Sequence, residues 1–177
     1  MKKYKTRPRL KDFDYKGYHR YFITICTRDR SPIFKDYAGV KELIRVLKDT
    51  AKNNFGFKVW AYCFMPDHLH LLVEGESPDS DLKKFISSYK QYTGYYYKKV
   101  AVAQGFSPAF SPAKTPSKRN NSKLWQPSYY DHVLRKDEDI FSVAMYIVNN
   151  PVRKGLVTHF MDYELSGSFE LDLEHLF

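Results

Sequence analysis

Apolar residues form several short runs of strand length along the chain. Residues 18–27 (YHRYFITICT) are rich in aromatic and β-branched residues, and residues 124–135 (LWQPSYYDHVLR) have a similar composition. Residues 57–65 and 69–73 are two further apolar runs, and the Pro-Asp break between them is typical of the tight turn of a hairpin. The pattern therefore predicts four strands, of which the middle two form a hairpin.

Three other stretches have apolar residues at steps of three and four, which predicts amphipathic helices. Residues 38–53 and residues 80–100 place charges on the face opposite the apolar side chains, and the second stretch is basic. Residues 137–150 begin with acids, which suit the positive end of a helix dipole, and Pro151 is expected to end the helix. A short terminal strand or turn is predicted at residues 156–160.

These elements follow one another as β-α-β-β-α-β, with a further helix after the last strand. This order predicts an α+β fold of the ferredoxin-like kind, in which an antiparallel sheet carries helices on one face. The chain of 177 residues is 43% hydrophobic, which is enough for a single domain over residues 1–177. We expect a basic arm at 1–16, a flexible low-complexity insert at about 101–123 and a loose acidic tail at about 158–177.

The net charge of +9 is unevenly distributed along the chain. Residues 83–123 contain Lys and Arg but no acid, whereas residues 155–177 contain acids but no Lys or Arg. A basic surface with 15 Tyr and 13 Phe interleaved suits a polyanion, because cations neutralise phosphates and flat rings stack on bases. A generally basic protein whose tyrosines fill the core would have the same composition. The charge therefore favours a nucleic-acid partner without establishing it.

The chain has no apolar run of about 18 residues and no apolar segment near its start that resembles a signal peptide. We therefore expect a cytoplasmic protein without a membrane segment. Cys26 and Cys63 both lie in apolar runs, which favours buried free thiols over a disulfide. Two cysteines cannot form a structural zinc site by themselves.

Two histidines begin the second strand of the predicted hairpin. Side chains alternate along a strand, so His68 and His70 face one side of the sheet while Leu69 faces the other. Two neighbouring imidazoles on one face are the beginning of a metal site. They are equally consistent with ordinary histidines in a buried strand, so the decision depends on further ligands elsewhere in the chain.

Tyr146 and Asn150 lie four residues apart in the last predicted helix, and therefore on one helical face. Asn offers a carbonyl oxygen to a divalent cation, and Tyr offers a nucleophilic oxygen. If this helix packs near His68 and His70, the two imidazoles and the amide would suit Mg²⁺ or Mn²⁺, with positions left for a phosphate oxygen. A core-facing tyrosine and a helix-terminal asparagine before proline are the simpler explanations.

Three motifs, in a fixed order, add to this pattern. MPDHLHLLVE resembles the His-hydrophobic-His motif of the single-tyrosine HUH transposases, which act on single-stranded DNA. WQPSYYDHVLR followed by YIVNNPVRKGLV resembles the REP-associated tyrosine transposase branch of that family. The resemblance extends over residues 18–157, and the ordered set is much more specific than the histidine pair alone.

The resemblance implies a role for each matching residue. His68 and His70 correspond to the metal-binding pair, Tyr146 to the nucleophile on the additional C-terminal helix, and Asn150 to the third metal ligand. The insertion-sequence branch usually has glutamine at this last position, so asparagine favours the REP-associated branch. The adjacent Asn149 is an alternative ligand.

Tyr129 and Tyr130 are rival nucleophiles, but they lie in the segment that matches a non-catalytic motif of the family. Attack by tyrosine also needs a group that removes the phenolic proton, because a phenol ionises only near about pH 10. The metal, a bound water, Asp67 and His132 are the candidates for this task. The insert at about 101–123 has no counterpart in the family, so no role is assigned to it.

The resemblance implies a metal-dependent transposase that cleaves and joins hairpin-containing single-stranded DNA through a 5′-phosphotyrosine, with Mg²⁺ or Mn²⁺ as its cofactor. One alternative is an HUH replication or mobilisation nuclease with the same chemistry. Another is a catalytically silent or domesticated protein that binds structured DNA. Both a monomer and a homodimer that exchanges the tyrosine helix are compatible with the family. The residues expected to contact DNA are Lys83, Lys84, Lys90, Lys98, Lys99, Arg135, Arg153 and Lys154.

Overall fold

The computed structural model of the protein describes residues 10, 12–35, 37–103 and 123–173. The strands are β1 (Arg20–Cys26), β2 (Phe57–Met65), β3 (His68–Gly75), β4 (Tyr130–Val133) and β5 (Ser166–Gly167). They form one antiparallel sheet in the order β4-β1-β3-β2-β5. The predicted ferredoxin-like α+β fold is confirmed, and β5 adds a short fifth strand at one edge.

Helices lie on both faces of this sheet. α1 (Tyr37–Asp49) and α2 (Leu82–Ala103) pack on one face, whereas α3 (Ile140–Val148) and α4 (Asn150–Arg153) pack on the other. α1 continues into a wider helical turn at Thr50–Asn54. The two crossover helices therefore share one face, as predicted, and the additional helices bury the opposite face.

Side chains of the central strands alternate between two cores. On β3, Leu69, Leu71 and Val73 pack with α1 and α2, whereas Leu72 packs with α3. Strands that are covered on both faces are almost continuously apolar, which explains the composition of β2 and β3. The polar residues that interrupt these runs are therefore candidates for a functional site.

The helical region after β4 differs from the single predicted helix of residues 137–150. α3 runs from Ile140 to Val148, and a separate short helix, α4, runs from Asn150 through Pro151 to Arg153. Proline is tolerated there because the first turn of a helix does not need its N–H group. α3 therefore ends before Pro151, as predicted, and α4 is an additional short helix that the sequence pattern did not predict.

The last predicted strands are also shorter or displaced. Within residues 124–135 only Tyr130–Val133 joins the sheet, and Trp125 makes an isolated bridge to the residue that follows β1. Residues 156–160 contain no strand, and a 3₁₀ turn begins at the end of this stretch, at Phe160–Asp162. The turn alternative of that prediction is the correct one.

The segment after α4 packs along the edge of β2. The Tyr163 hydroxyl donates to the Phe64 carbonyl over 2.8 Å, and the Phe64 N–H donates to the Leu165 carbonyl over 2.9 Å. Phe160 and Leu165 are buried. This part of the acidic tail is thus packed against the sheet and is not loose.

Parts of three predicted segments lie outside the described residues: 1–9 and 11 of the basic arm, 104–122 of the insert and 174–177 of the tail. Both cysteines are buried free thiols, as predicted. Within the part of the chain that the structure describes, no helix is both long and apolar enough to cross a membrane.

A buried hydrogen bond joins α2 to the segment before β4. The Trp125 Nε1–H donates to the Thr93 hydroxyl over 2.8 Å, and this hydroxyl donates to the Tyr89 carbonyl over 2.6 Å. Thr93→Val keeps the shape of the side chain but leaves the buried indole N–H without its acceptor. We therefore expect the free energy of unfolding, measured by denaturant titration, to fall by about 1–3 kcal/mol. Thr93→Ser keeps the hydroxyl and removes the methyl group that valine retains, so it is the control. A loss in Thr93→Ser as large as that in Thr93→Val would contradict the assignment of the effect to the hydrogen bond.

Candidate active site

His68 and His70 lie at the start of β3 and face the side of the sheet that carries α3. Their Nε2 atoms are 3.0 Å apart, and both side chains are partly buried. On β2, Met65 is paired with His68 and Cys63 is paired with His70. The 3.0 Å between the two Nε2 atoms is a hydrogen-bond distance, and it is also short enough for them to be ligands of a single ion.

The other ring nitrogen of each histidine is held by a neighbouring polar group. Nδ1 of His70 is 2.9 Å from the Thr24 hydroxyl, and Nδ1 of His68 is 2.5 Å from a carboxylate oxygen of Asp67. A carboxylate only accepts, so His68 donates from Nδ1, and in its neutral form it presents a lone pair at Nε2. His70 reaches the same state when its Nδ1–H donates to Thr24. Hydrogen bonds of this kind select the tautomer that metal ligation requires.

The 3₁₀ turn after β1 adds a cation to this arrangement. Arg30 Nη1 donates to Asp67 Oδ2 over 3.2 Å and lies 3.4 Å from Nδ1 of His68. Asp29 and Arg30 have positive φ angles of 55° and 57°, which are uncommon for residues other than glycine. The Thr27 N–H donates to the Asp67 carbonyl over 3.0 Å and ties this turn to the hairpin. No sequence pattern predicted the place of Arg30.

Burial, followed by the neighbouring His68 and Arg153, lowers the pKa of His70 to about 3. His70 is therefore neutral at physiological pH, which is the form that binds a metal. Burial raises the pKa of Cys63 to about 12, so the residue paired with His70 is a protonated thiol. His70 thus offers a neutral nitrogen in surroundings that do not supply a thiolate from Cys63.

α3 brings Tyr146 to the same face of the sheet. The Asp139 side chain begins the helix by accepting a hydrogen bond from the Ser142 N–H over 2.8 Å. Ile147 and Val148 are buried, whereas Tyr146 lies on the flank of the helix and is 52% exposed. Tyr146 is therefore not a core-facing tyrosine.

Phe22 lies between the histidine pair and Tyr146. Its ring centroid is 5.4 Å from that of His70 and 6.2 Å from that of Tyr146, which it meets edge to face. The aromatic contact places the phenol beside the imidazoles. Sequence reasoning did not single out Phe22 or Thr24, although strand alternation along residues 18–27 puts both on one face.

Arg153 of α4 connects Tyr146 with Asn150. Its Nη1 donates to the Tyr146 carbonyl over 2.9 Å, its Nη2 donates to Asn150 Oδ1 over 2.8 Å, and its guanidinium lies 3.8 Å from the Tyr146 ring centroid. Asn150 is buried, and its Nδ2 donates to the Tyr146 carbonyl over 3.3 Å. Asn149 instead donates to the Met145 carbonyl over 2.9 Å.

The two rival tyrosines differ in position. Thr24 of β1 is paired with His70 on one side and with Tyr130 on the other, so the structure places Tyr130 on the histidine face. Tyr130 is 36% exposed. Tyr129 packs against the core under α1 and α2, on the opposite face. Of the two, Tyr130 is the rival that shares the candidate site's side of the sheet.

The two candidate bases have other partners. Asp67 contacts His68 and Arg30, as described above. His132 Nε2 lies 2.9 Å from a carboxylate oxygen of Glu138. These contacts give each side chain a role that does not involve the phenol of Tyr146.

The basic residues that were expected to contact DNA lie in two parts of the chain, on α2 and around α3 and α4. Those on α2 lie on the side of the sheet away from the histidine pair: Lys83, Lys84, Lys90, Lys98 and Lys99. Lys90 also donates to the Gln126 carbonyl over 2.7 Å and so braces the segment before β4. Arg135 lies between β4 and α3, and Arg153 and Lys154 lie at the end of α4. Of these three, Arg153 contacts Tyr146 and Asn150.

Among the described residues, no group of three or more His, Cys, Asp or Glu side chains could hold a metal. The candidate ligands are thus the imidazole pair and the Asn150 amide. The pair's 3.0 Å spacing agrees with the separation of about 3.0 Å expected for two ligands at right angles, each about 2.1 Å from one ion. The imidazole pair therefore fits a divalent cation, whereas Arg153 holds the Asn150 oxygen.

Known proteins are similar to this chain in sequence and in fold. The family model described as "Transposase IS200 like" matches residues 16–150. A Haemophilus influenzae protein (strain ATCC 51907 / DSM 11121 / KW20 / Rd) whose name assigns it to the REP-associated tyrosine transposases is 31% identical over 155 residues, which are 87% of this chain and 81% of that protein. The solved structure of a REP-associated tyrosine transposase bound to a REP hairpin superimposes with a TM-score of 0.61 at 22% identity, covering 94% of this chain and 82% of that chain.

The structural likeness concerns the fold, while the family match and the curated relative concern the sequence itself. Both sequence matches extend over most of the chain, and residues 16–150, which the family model matches, include the histidine pair and Tyr146. The chain therefore belongs to the IS200-like transposase family, whose members are enzymes that cleave and join DNA.

Proposed function

We propose that this chain cleaves and rejoins single-stranded DNA beside a hairpin, with Tyr146 as the nucleophile. A divalent cation is held by His68, His70 and Asn150 in this proposal. The observation that supports it best is the imidazole pair, whose Nε2 atoms lie 3.0 Å apart on the face where α3 presents an exposed tyrosine. Family membership supports the class of reaction, strand cleavage and joining.

The tyrosine step conserves the phosphodiester for later joining. The phenolic oxygen of Tyr146 bonds to phosphorus while the bond from phosphorus to the 3′ oxygen breaks. The phenol loses its proton, and the leaving oxygen gains one. The products are a 5′-phosphotyrosine and a 3′-OH. Attack of a 3′-OH on the phosphotyrosine reverses these changes and joins two strands, which hydrolysis by water would not do.

The residues around the phenol and the imidazoles have separate tasks in this scheme. When bound, Mg²⁺ or Mn²⁺ would offset the phosphate charge and orient the scissile bond. Thr24 and Asp67 hold the rings of His70 and His68, and so keep their Nε2 atoms convergent. Phe22 limits the positions open to the phenol by packing against its ring.

Hairpin-containing single-stranded DNA is proposed as the substrate because the structural neighbour with the same fold is bound to a REP hairpin. Arg135 and Lys154 lie just before α3 and just after α4, and in this proposal they neutralise phosphates of the bound strand. On the opposite face, the α2 lysines lie on the same helix as Tyr92 and Tyr95, which are 54% and 72% exposed. Exposed rings beside cations suit unpaired bases and their backbone.

Tyr146→Phe is expected to abolish the covalent protein–DNA adduct, because phenylalanine keeps the ring but lacks the attacking oxygen. The measurement is denaturing electrophoresis of a labelled hairpin oligonucleotide after incubation with the protein and Mn²⁺. Tyr130→Phe tests the rival on the same face, and Tyr95→Phe is a matched control on α2. Both are expected to form the adduct as wild type does.

Two outcomes of this experiment contradict the proposal in different ways. An adduct formed by Tyr146→Phe would transfer the nucleophilic role to another tyrosine, and loss in Tyr130→Phe would point to that residue. Hairpin binding by the wild-type protein with Mn²⁺ or Mg²⁺ and without any adduct would instead identify a catalytically silent DNA-binding protein.

His70→Ala is expected to lower the single-turnover cleavage rate at least about a hundredfold, because a bound cation stabilises transition-state charge by several kcal/mol. The affinity for the hairpin, measured by fluorescence anisotropy, is expected to change less than about threefold, because basic residues outside the pair contact the phosphates. His159→Ala replaces an exposed histidine and is the control. Equal losses of cleavage and binding in His70→Ala would argue against a metal role.

A further inference from the structure

We infer that Arg153 is a positioning residue that closes the candidate cation site until a cation takes the Asn150 side-chain oxygen from it. The inference rests on the proposed function, because it takes His68, His70 and Asn150 as the ligands. It goes beyond that function because it gives Arg153 a role in controlling whether a cation can bind, in addition to holding Asn150 and Tyr146 in place.

One guanidinium makes three contacts within the site. Nη2 donates to Asn150 Oδ1 over 2.8 Å, and Nη1 donates to the Tyr146 carbonyl over 2.9 Å. The central guanidinium carbon lies 3.8 Å from the Tyr146 ring centroid, where a cation interacts favourably with the face of the ring. Arg153 therefore holds the proposed ligand and the proposed nucleophile at the same time.

The Asn150 oxygen requires a partner because the residue is buried. Asn150 is 6% exposed, and its Nδ2 already donates to the Tyr146 carbonyl, so Oδ1 is the atom that a donor or a cation can reach. A buried carbonyl oxygen without a partner is unfavourable. In the protein without a cation, Arg153 supplies that partner.

The guanidinium and a divalent cation compete for this oxygen because both are positively charged. Like charges a few ångströms apart repel one another in a partly buried site, so one oxygen does not serve both at full strength. Arg153 thus opposes a cation both by occupying a ligand atom and by repulsion.

Arg153 can leave this position without disturbing either core. It is an exposed residue at the end of the four-residue helix α4, and its long side chain reaches inward from there. Released from Asn150, the planar guanidinium remains next to Tyr146, where phosphate oxygens are suitable new partners. The site is therefore closed in the free protein and opens as the cation binds.

The test measures the Mn²⁺ affinity of the full chain without DNA, from the electron paramagnetic resonance signal of unbound Mn²⁺. Arg153→Gln removes the charge and the two-pronged contact, and is expected to bind Mn²⁺ about tenfold more tightly than wild type. Arg153→Lys keeps the charge and loses the planar fork, with an expected gain of about threefold. Arg45→Gln removes an exposed arginine of α1, on the far side of the sheet, and is expected to change the affinity less than about twofold.

A purely structural role of Arg153 predicts the opposite sign, because loosening Asn150 would weaken Mn²⁺ binding. Unchanged or weaker binding by both Arg153 variants, while His70→Ala loses the binding seen in wild type, overturns this inference and leaves the proposed function standing. Absence of binding in wild type and in both Arg153 variants overturns the proposed metal site, and this inference with it. If His70→Ala binds Mn²⁺ as tightly as wild type does, the proposed metal site and this inference are likewise overturned.

The Asn150→Ala variant tests whether the gain in Mn²⁺ affinity depends on the Asn150 side-chain oxygen. In this background Arg153→Gln is expected to gain less than about threefold, because the contested oxygen is absent and only repulsion is relieved. A full tenfold gain in the double variant would overturn the competition for Asn150 Oδ1. Thermal unfolding midpoints within about 4 °C of wild type show that the variants are folded. If Arg153→Gln does not fold, the Mn²⁺ affinity of Arg153→Lys is compared with that of wild type instead.

Discussion

Side-chain alternation along β3 is the constraint on which the rest of the structure depends. Leu69, Leu71 and Val73 are fully buried and build the core under α1 and α2, so the residues between them have to face α3. A register slip of one residue would exchange the two sets and place both imidazoles in an apolar core. Burial of the larger core therefore holds the histidine pair at the surface of the smaller one.

The smaller core performs the complementary task of orienting the nucleophile. Ile147 and Val148 are buried against the sheet, and this packing leaves Tyr146 on the exposed flank of α3. Phe22 contacts the ring from the sheet side and Arg153 contacts it from α4. The same contacts that stabilise the helix on the sheet thus bring the phenol, the imidazoles and the buried amide of Asn150 to one side of the molecule.

Local sequence patterns correctly predicted those helices and strands in which the spacing of apolar residues matches the spacing of buried positions. β2, β3, α1 and α2 are such elements, because each has one or two faces committed to a core. The local patterns failed where contacts between residues far apart in the chain determine the structure or the burial of a segment. Trp125 has a strand-like neighbourhood but is buried through its bond to Thr93 of α2, and Leu165 lies in an acidic segment yet is buried beside β2. The short helix α4 was not predicted either, although proline is tolerated in its first turn because no donor is needed there.

The sequence by itself determined the order of the elements, the common face of the two histidines and the four-residue spacing of Tyr146 and Asn150. Each of these follows from a local periodicity of the backbone. Only the tertiary structure decided that α3 packs on the histidine face, that Phe22 lies between His70 and Tyr146, and that Arg153 occupies the Asn150 oxygen. The first two features join residues far apart in the chain. The third joins residues three apart within α4, where the burial of Asn150 makes its side-chain oxygen require a partner. The burial of complementary faces, which no local pattern specifies, is what brings them together.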